Sequence, residues 1–430
     1  MLTSEENEIL CRVGPGTAMG GLMRAHWVPV CLSEEVAEAD GPPLLVEALG
    51  ERFVAFRDSE GRLGLLDELC PHRRASLVLG RNEECGLRCL YHGWKIDVEG
   101  HVVTMASEPP DSPMQGTVRH RAYPVQEAGG FVWAWLGAGE APAFRPPAFA
   151  PTGAERVSIL KIRVPANWAQ ITEGQIDSAH SSSLHSSDMV PARVEGAAAD
   201  DKAWYRPSTD RAPRLQSACT AYGFHYAAIR RPIRNAATHE YIRVTEYIAP
   251  FLSLIPPNSS YRVASLIVPV DDATTHFHFI AWGDPETTPS TTDWRAFNHA
   301  VPGDDLDTRW VPWRAMDPRF GQDRVRMKAG SFTGIEGIPN QDIAMWASMG
   351  AIVDRSRDVL GSSDLAIVEF RRLMVEAAHA ASAGEVPLGT GAGVPPHTAI
   401  ASFEGVVPKG SDWEALAQGA AAGLAAARTG

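Results

Sequence analysis

The chain has 430 residues and a formal net charge of -13 at pH 7, from 39 basic and 52 acidic side chains. Its 44% hydrophobic and 21% charged residues exclude a disordered chain, a collagen and a disulfide-stabilised miniprotein, and its length allows two or three domains. The negative charge disfavours nucleic acid and anionic lipid surfaces as partners.

The lack of a recognisable targeting signal and the small number of cysteines indicate a reducing compartment. No apolar run reaches the ~20 residues that a membrane helix needs, and the start MLTSEENEIL lacks the basic and apolar regions of a signal peptide. We therefore expect a cytoplasmic protein without a membrane segment. The 6 cysteines are too sparse for a disulfide framework, so metal or cluster ligation is their favoured special use.

The first third of the chain opens with a short helix and continues in β structure. Thr3 and Glu6 have capping-box spacing, which predicts a helix that runs to Val13. From residue 43 to residue 137, short β-rich pieces alternate with Gly, Asp, Glu and Asn turns, as in a compact antiparallel domain. A cluster of prolines follows and favours extended chain. These patterns predict three parts: an N-terminal helical arm over 1–25, an all-β domain over 26–141 and a second domain over 142–430.

The second domain is predicted to be α+β, with helices flanking a mostly antiparallel sheet. Residues 165–187 and 364–383 have helical patterns, and Ser411 with Glu414 is expected to cap a final Ala-rich helix. The segments with the composition of strands are 222–231, 241–255, 261–270 and 275–282.

Two loops of the β-rich domain carry four residues that can bind metal. Cys70 and His72 form a C-x-H pair, and Cys89 and His92 form a C-x2-H pair further along the chain. Tetrahedral zinc could use the same ligands. The spacing is, however, the one in which two thiolates hold one iron of a [2Fe-2S] cluster and two imidazoles hold the other. Both loops also contain the Pro or Gly that a tight turn needs, which favours the cluster over four unrelated residues.

Asp177, His180 and His185 form a second candidate metal site. His180 and His185 are separated by about 140° around an ideal helix, so a straight helix would not direct both at one ion. The serines between them are weak helix formers that could widen the turn. Two imidazoles and a downstream carboxylate, for which we choose Asp342, would form a facial triad that leaves positions open on Fe(II). Taken alone, H-x4-H more often marks two surface histidines, but the cluster motif reverses that balance.

The motifs together resemble the Rieske non-haem iron ring-hydroxylating oxygenases over nearly the whole chain. The likeness is strongest to the phthalate 4,5-dioxygenase type and its aryl-carboxylate relatives. It rests on the segments LCRVGPGTAMGGLMR, CPHRRASL, YHGW, IDSAHSSSLHSSDMVPARV, YAAIRRPI, IPPN and GSFTGIEGIPNQDIAMW. The resemblance implies an N-terminal all-β Rieske [2Fe-2S] domain, followed by an α+β catalytic domain with a C-terminal helical tail.

The resemblance also implies a role for each residue of the two sites. The cluster ligands would be Cys70, His72, Cys89 and His92. The ligands of a mononuclear Fe(II) would be His180, His185 and Asp342. Asp177 would link His180 to the cluster ligand His92 of a neighbouring subunit.

The implied assembly is a homotrimer that can stack into a hexamer. A separate flavin and iron-sulfur reductase would supply it with electrons from NADH. The implied reaction uses O2 to cis-dihydroxylate an aryl carboxylate of the phthalate or benzoate type.

Three alternatives stay open on the sequence. A Rieske O-demethylase would hydroxylate the methoxyl carbon of a methoxylated aryl acid and release formaldehyde. A Rieske electron carrier would need the cluster but no second metal. A structural zinc protein would be colourless.

An aryl carboxylate in an apolar pocket needs a charged partner, because an unpaired buried ion is strongly destabilised. Arg206 and Arg243 are the candidates, since Arg can bind a carboxylate through two hydrogen bonds, and Ser178 could add a hydroxyl. A surface or interface salt bridge is an equally open interpretation of either arginine. His225 stands where the phthalate type would have Arg, which leaves open a substrate with one carboxylate or with a second carboxylate in a different place.

Overall fold

The computed structural model describes residues 2–150, 153–191 and 204–429. The chain forms two compact units, one of Met23–Phe144 and one of Met1–Leu22 together with Arg145–Gly430. The domain limits derived from the sequence, after residues 25 and 141, stay predictions. Within the described ranges, no helix has both the length and the apolar character that crossing a membrane requires.

The unit Met23–Phe144 is built from short antiparallel strands. They are β1 Trp27–Leu32, β2 Leu44–Ala48, β3 Glu51–Arg57, β4 Leu63–Asp67, β5 Arg81–Glu83, β6 Gly86–Arg88, β7 Trp94–Ile96, β8 Val102–Met105, β9 Val125–Ala128 and β10 Phe131–Trp135. Their sheets have the orders β1-β10-β9, β2-β3-β4 and β5-β6-β7-β8. Phe56, Leu66 and Ile96 belong to a buried cluster that also contains Cys70 and Cys89, so the core of this unit lies directly behind the cysteine loops.

The larger unit combines helices with one broad sheet. The helices of the chain are α1 Ser4–Cys11, α2 Ala18–Arg24, α3 Trp168–Gln175, α4 Thr291–Phe297, α5 Arg324–Lys328, α6 Ile338–Ser348, α7 Leu365–Ser382 and α8 Trp413–Thr429. The remaining strands are β11 Arg156–Val164, β12 Met189–Pro191, β13 Trp204–Arg206, β14 Arg214–Thr220, β15 Gly223–Arg230, β16 His239–Ile248, β17 Leu252–Ile255, β18 Arg262–Pro269, β19 Thr275–Gly283 and β20 Phe403–Pro408.

The broad sheet is antiparallel throughout. Its order is β11-β19-β18-β17-β16-β15-β14, and β20 pairs with β16. The short strands β12 and β13 form a separate parallel pair. A β-rich N-terminal unit followed by an antiparallel sheet with helices confirms the α+β fold that the sequence predicts.

The helix predicted over 165–187 is wrong beyond its first half. Helix α3 ends at Gln175, and the chain then passes through the 3-10 helix His180–Ser182. The cause is local, because Oδ1 of Asp177 accepts a hydrogen bond from the N–H of Ala179 at 2.7 Å and so offers the backbone an alternative to the α-helical bond. The break releases the two predicted iron ligands from the angular spacing of a straight helix.

Other predicted segments agree with the structure or need small corrections. The capping box of Thr3 and Glu6 is confirmed, and so is the helix predicted over 364–383, which is α7. The strand predicted over 241–255 is two strands, since the chain turns between β16 and β17.

The final helix has a different cap from the one predicted. Oδ1 of Asp412, not the hydroxyl of Ser411, accepts hydrogen bonds from the N–H groups that open α8. Strands β11, β14 and β20 have no counterpart in the sequence prediction. Strand β20 matters below because it brings Glu404 into the interior of the larger unit.

Helix α3 is fixed near both ends by buried polar contacts. The side chain of Asn167 accepts a hydrogen bond from an N–H of the first turn at 3.0 Å. Near the other end, Glu173 accepts hydrogen bonds from Nε of Arg355 at 2.7 Å and from Nε of Arg371 at 2.8 Å. These contacts set the position of the loop that follows α3 and carries the second candidate metal site.

Candidate metal centres and substrate pocket

The two cysteine loops of the β-rich unit have the same backbone turn. The N–H of Cys70 donates to the carbonyl of Ala75 at 2.9 Å, and the N–H of Cys89 donates to the carbonyl of Trp94 at 2.8 Å. In each loop the cysteine carbonyl also accepts a hydrogen bond at 3.0 Å from the residue four positions later. Each half of the C-x-H and C-x2-H motif therefore lies on one copy of a repeated turn.

The residue four positions after each cysteine has a left-handed backbone. Arg74 has φ of 60° and Gly93 has φ of 73°. A Cβ on Gly93 would lie 2.9 Å from Cβ of Ala106, so this position has no space for a side chain. Since Arg74 has the same left-handed backbone, it is the close approach of Ala106 that makes the glycine of YHGW necessary.

The turns bring the four predicted cluster residues together. Cys70 and Cys89 are buried, and the ring centroids of His72 and His92 are 4.4 Å apart. Burial raises the pKa of the Cys70 thiol to about 11, so the proton would stay on this sulfur unless a cation replaced it. Nδ1 of His72 is buried and has no hydrogen-bond partner among the described residues. Two buried thiols and an unsatisfied imidazole nitrogen fit a [2Fe-2S] cluster.

His180, His185 and Asp342 converge on one point in the larger unit. Nε2 of His180 and Nε2 of His185 are 3.2 Å apart. Oδ1 of Asp342 lies 3.2 Å from Nε2 of His185 and 3.5 Å from Nε2 of His180. A single cation could bind all three lone pairs, whereas a proton between any two of these atoms leaves the third unsatisfied. The donor set therefore fits a mononuclear iron with open positions.

Gln341, the residue before Asp342, is part of this centre and was missed by sequence reasoning. Its Oε1 accepts a hydrogen bond from Nδ1 of His185 at 2.8 Å. Its Nε2 donates to Oδ2 of Asp188 at 2.8 Å and to the carbonyl of Ile335 at 2.9 Å. The available signal was the run Asn340-Gln341-Asp342 in IPNQDIAMW, three consecutive polar residues in an otherwise largely apolar helix.

Asp177 lies beside His180 at the edge of the centre. Its Oδ2 is 3.4 Å from Nδ1 of His180, without the alignment of a hydrogen bond. Burial alone would raise the pKa of the Asp177 carboxyl, but His180 and backbone N–H donors lower it. The side chain is 19% exposed, so it can be reached from outside the unit. Exposed apolar side chains share this surface, namely Phe332, Met345 and Met349.

A cavity opens beside the three converging ligands. Its polar lining includes Ser178, Arg206 and Arg243, in addition to His180, His185 and Asp342. Its apolar lining includes Ile255, Pro256, Val263, Phe277, Phe279 and Ile338. Apolar walls with a few convergent polar groups are suited to an aromatic ring that has a polar substituent.

Two buried arginines, Arg206 and Arg243, line the cavity, and a third, Arg230, lies behind the lining residue Ser178. Arg243 has a carboxylate partner, Glu404, at 3.4 Å. Arg206 and Arg230 have only hydroxyl and carbonyl partners among the described residues. Burial, followed by the charge of Arg243, lowers the pKa of Arg206 to about 9 and that of Arg230 to about 10. The surroundings of these arginines therefore have an excess of positive charge.

Arg230, which sequence reasoning did not single out, directs the hydroxyl of Ser178. Its Nη1 donates to Oγ of Ser178 at 3.2 Å, and its Nη2 donates to the Ser178 carbonyl at 2.6 Å. Because Oγ already accepts from Arg230, its own proton can be donated to a group in the cavity. A charged residue that ends the strand segment YAAIR was the signal for a buried, functional arginine.

His225 does not line the cavity. Its Nδ1 is 3.3 Å from Oε1 of Glu246, and its ring packs on Trp413 at 4.8 Å between centroids. His225 is therefore not placed to bind a substrate carboxylate directly in this cavity.

The comparisons with known proteins cover both units. The model of the Rieske [2Fe-2S] domain matches residues 26–128, and the model described as LigXa C-terminal domain like matches residues 134–426. The phthalate 4,5-dioxygenase oxygenase subunit of Pseudomonas putida is 58% identical over 414 residues, which are 96% of this chain and 94% of the relative. The 3-chlorobenzoate-3,4-dioxygenase oxygenase subunit of Comamonas testosteroni is 35% identical over 436 residues, or 96% of this chain and 97% of the relative.

A solved structure shows the same fold at low identity. The terminal oxygenase of carbazole 1,9a-dioxygenase from Nocardioides aromaticivorans IC177 superposes with a TM-score of 0.57 at 17% identity, covering 87% of this chain and 96% of that one. The cofactors of this family are a Rieske [2Fe-2S] cluster and a mononuclear iron, and the donor sets described above fit both. The chain therefore belongs to the Rieske non-haem iron oxygenases, as the terminal oxygenase component of a multicomponent dioxygenase.

Proposed function

We propose that this oxygenase cis-dihydroxylates an aromatic dicarboxylate of the phthalate type, with O2 and with electrons from a separate flavin and iron-sulfur reductase. The observation that carries the proposal is that buried Arg206 and Arg243 line the same cavity as the three converging ligands. The high identity to a phthalate 4,5-dioxygenase oxygenase subunit supports the same substrate class.

The positive charge of the arginines in and behind the cavity wall favours a substrate with two carboxylates over a substrate with one. Arg206, Arg230 and Arg243 carry three positive charges, and within the described ranges Glu404 is the carboxylate paired with them. Burial raises the pKa of Glu404, which limits how far it can neutralise its neighbours. A dianionic substrate would balance the remaining charge, and buried charges are stable only when they are balanced in this way.

Each site residue has a defined task in this proposal. Residues 26–141 form the domain that holds the cluster, through Cys70, His72, Cys89 and His92. Residues 142–430 form the catalytic domain, in which His180, His185 and Asp342 bind Fe(II). Iron bound there supplies the activation of O2, with electrons delivered through the cluster.

The substrate residues fix where the ring lies. Arg206 and Arg243 bind the carboxylates through paired N–H donors, and the hydroxyl of Ser178 donates a further hydrogen bond. The apolar wall of the cavity packs on the ring and displaces water from it. Because the arginines and the iron ligands line the same cavity, a ring whose carboxylates are bound by the arginines lies beside the iron ligands.

Asp177 is proposed to link two subunits. As the resemblance implies, the carboxylate connects His180 to the cluster ligand His92 of a neighbouring copy in a homotrimer that can stack into a hexamer. Its partial exposure and its lowered pKa support this role, since an ionised carboxylate that faces outward can accept a hydrogen bond from a second protein surface. The apolar side chains around it provide area for such a contact.

The test of the function is an oxygen-uptake screen with a surrogate reductase, followed by product identification. We expect uptake and a cis-dihydrodiol with a phthalate isomer, weaker uptake with benzoate, and no formaldehyde from methoxybenzoates. Formaldehyde release from a methoxybenzoate without diol formation from any phthalate would identify the protein as an O-demethylase instead.

The arginine pair gives a prediction about substrate charge. Replacing Arg243 or Arg206 with Gln should raise the apparent KM for the dicarboxylate at least tenfold, equivalent to about 1.4 kcal/mol, because the charged partner of a buried carboxylate is lost. Iron content should not change, since neither side chain is a proposed ligand. Steady-state kinetics and metal analysis of the same preparations measure both quantities.

Arg214→Gln is the matched control, because Arg214 lies on the same sheet with its side chain 56% exposed. Its KM should stay within twofold of wild type. An unchanged KM in both Arg243→Gln and Arg206→Gln would remove the clamp and point to a neutral substrate.

A further inference from the structure

Gln341 occupies the space between a proposed iron ligand and a carboxylate that lies outside the metal centre. It is 1% exposed and contacts Nδ1 of His185 on one side and Asp188 on the other. Asp188 is itself tied to the same loop, since its N–H donates to the carbonyl of His185 at 2.9 Å. An amide therefore connects the imidazole to a carboxylate that does not reach it directly.

The contacts of Gln341 allow one orientation of its amide. Two oxygen acceptors, Oδ2 of Asp188 and the carbonyl of Ile335, lie within 2.9 Å of its Nε2. If the amide were flipped, its oxygen would face both acceptors and its NH2 group would face the imidazole. Oε1 must therefore point at His185, and Nδ1 of His185 must carry the proton, because an amide oxygen only accepts. In the neutral ring this leaves Nε2 with a free lone pair.

One helix turn thus contacts both nitrogens of one imidazole. Gln341 binds Nδ1 of His185 at 2.8 Å, and the next residue, Asp342, has its Oδ1 3.2 Å from Nε2. Both residues lie near the start of α6. The direction in which the ring presents its lone pair is therefore set by the same helix that supplies the carboxylate.

We propose that Gln341, oriented by Asp188, is the positioning residue that fixes the tautomer and the direction of His185 for iron binding. The proposal rests on the iron site proposed above. It adds that iron binding requires Gln341 as well as the three ligands. A hydrogen bond at the distal nitrogen fixes ring orientation and raises the basicity of the ligating nitrogen, and its loss typically weakens metal binding by about 10- to 100-fold.

The test measures metal affinity instead of turnover. Protein with an intact cluster is depleted of the mononuclear metal under anaerobic conditions and titrated with Fe(II), and separately with Co(II), against a competing chelator. Gln341→Met keeps the length of the side chain but removes both polar groups, and it should weaken metal binding by about 10-fold or more.

Asn340→Leu is the matched control, because Asn340 is also buried at the start of α6 but its side-chain amide donates to backbone carbonyls instead of to a metal ligand. It should bind metal like wild type even if it lowers the melting temperature. If Gln341→Met does not fold, Asp188→Ala takes its place, because Asp188 is exposed and its loss should not prevent folding. Metal binding several-fold weaker than wild type would then support the proposal. Unchanged metal binding would overturn it.

Two failures can be told apart with His185→Ala. If His185→Ala loses the metal while Gln341→Met binds it as tightly as wild type, the iron site stands and the role of Gln341 is wrong. If His185→Ala itself binds metal like wild type, the proposed iron site is wrong.

Discussion

His180→Ala and Asp342→Ala proteins should lose the mononuclear iron and all detectable dioxygenation, while the visible spectrum of the Rieske cluster stays unchanged. The two donor sets share no residue, and one lies in the unit Met23–Phe144 while the other lies in the larger unit. With one of three converging ligands removed, the remaining pair cannot hold Fe(II) in a facial arrangement. Iron analysis should fall from three to two atoms per chain, counting two for the cluster.

His239→Ala is a suitable control, since this histidine starts β16 and its ring hydrogen-bonds to the neighbouring Thr238 hydroxyl, away from both metal centres. It should keep all iron and all activity. If His180→Ala instead bleached the cluster and left hydroxylation intact, the assignment of the two motifs would be reversed.

Asp177→Asn should fold and keep both metals but turn over about 100-fold more slowly. The amide oxygen can still accept the N–H of Ala179, which preserves the turn that ends α3. The other oxygen, 3.4 Å from Nδ1 of His180, becomes an NH2 group that cannot accept a proton from an imidazole on either side. The charge that would connect the two histidines is lost while the shape is kept.

The measurement is single-turnover kinetics of reduced protein, together with iron content and the spectrum of the cluster. Asp317→Asn is the control, because Oδ1 of Asp317 accepts a backbone N–H at 3.0 Å in a similar loop but does not line the cavity. Near-normal turnover of Asp177→Asn would remove the bridging role. Mixing His180→Ala and His92→Ala chains tests the bridge, since a mixed assembly regains activity only if electrons pass between subunits.

The sequence was sufficient for residues whose function depends on near neighbours. The capping box of Thr3 and Glu6 and the spacing of the cluster motif are both local patterns, and the fold class follows from the order of such patterns along the chain. The end of α3 was missed because one side chain, Asp177, competes for a backbone N–H. The hydrophobic periodicity of a sequence gives no sign of such competition between a side chain and the backbone.

The residues that the sequence did not reveal take their function from partners far along the chain. Gln341 is informative only once its contacts with His185 and Asp188 are known, and Arg230 only once its contact with Ser178 is known. Each is a buried polar residue in or at the end of a largely apolar segment, a pattern that is equally typical of a satisfied core residue. Sequence separations of 52 and 156 residues between such partners leave no periodic signal.

Strand β20 has a consequence for how substrate preference can diverge among relatives. It pairs with β16 and places Glu404 against Arg243, although Glu404 does not line the cavity. Arg230 likewise acts from behind Ser178. Two relatives could therefore have identical residues on the cavity wall and still prefer a monoanion and a dianion, if they differ at these two positions. A comparison of the lining residues alone would place two such enzymes in one group. A comparison of β20, which carries Glu404, would separate them.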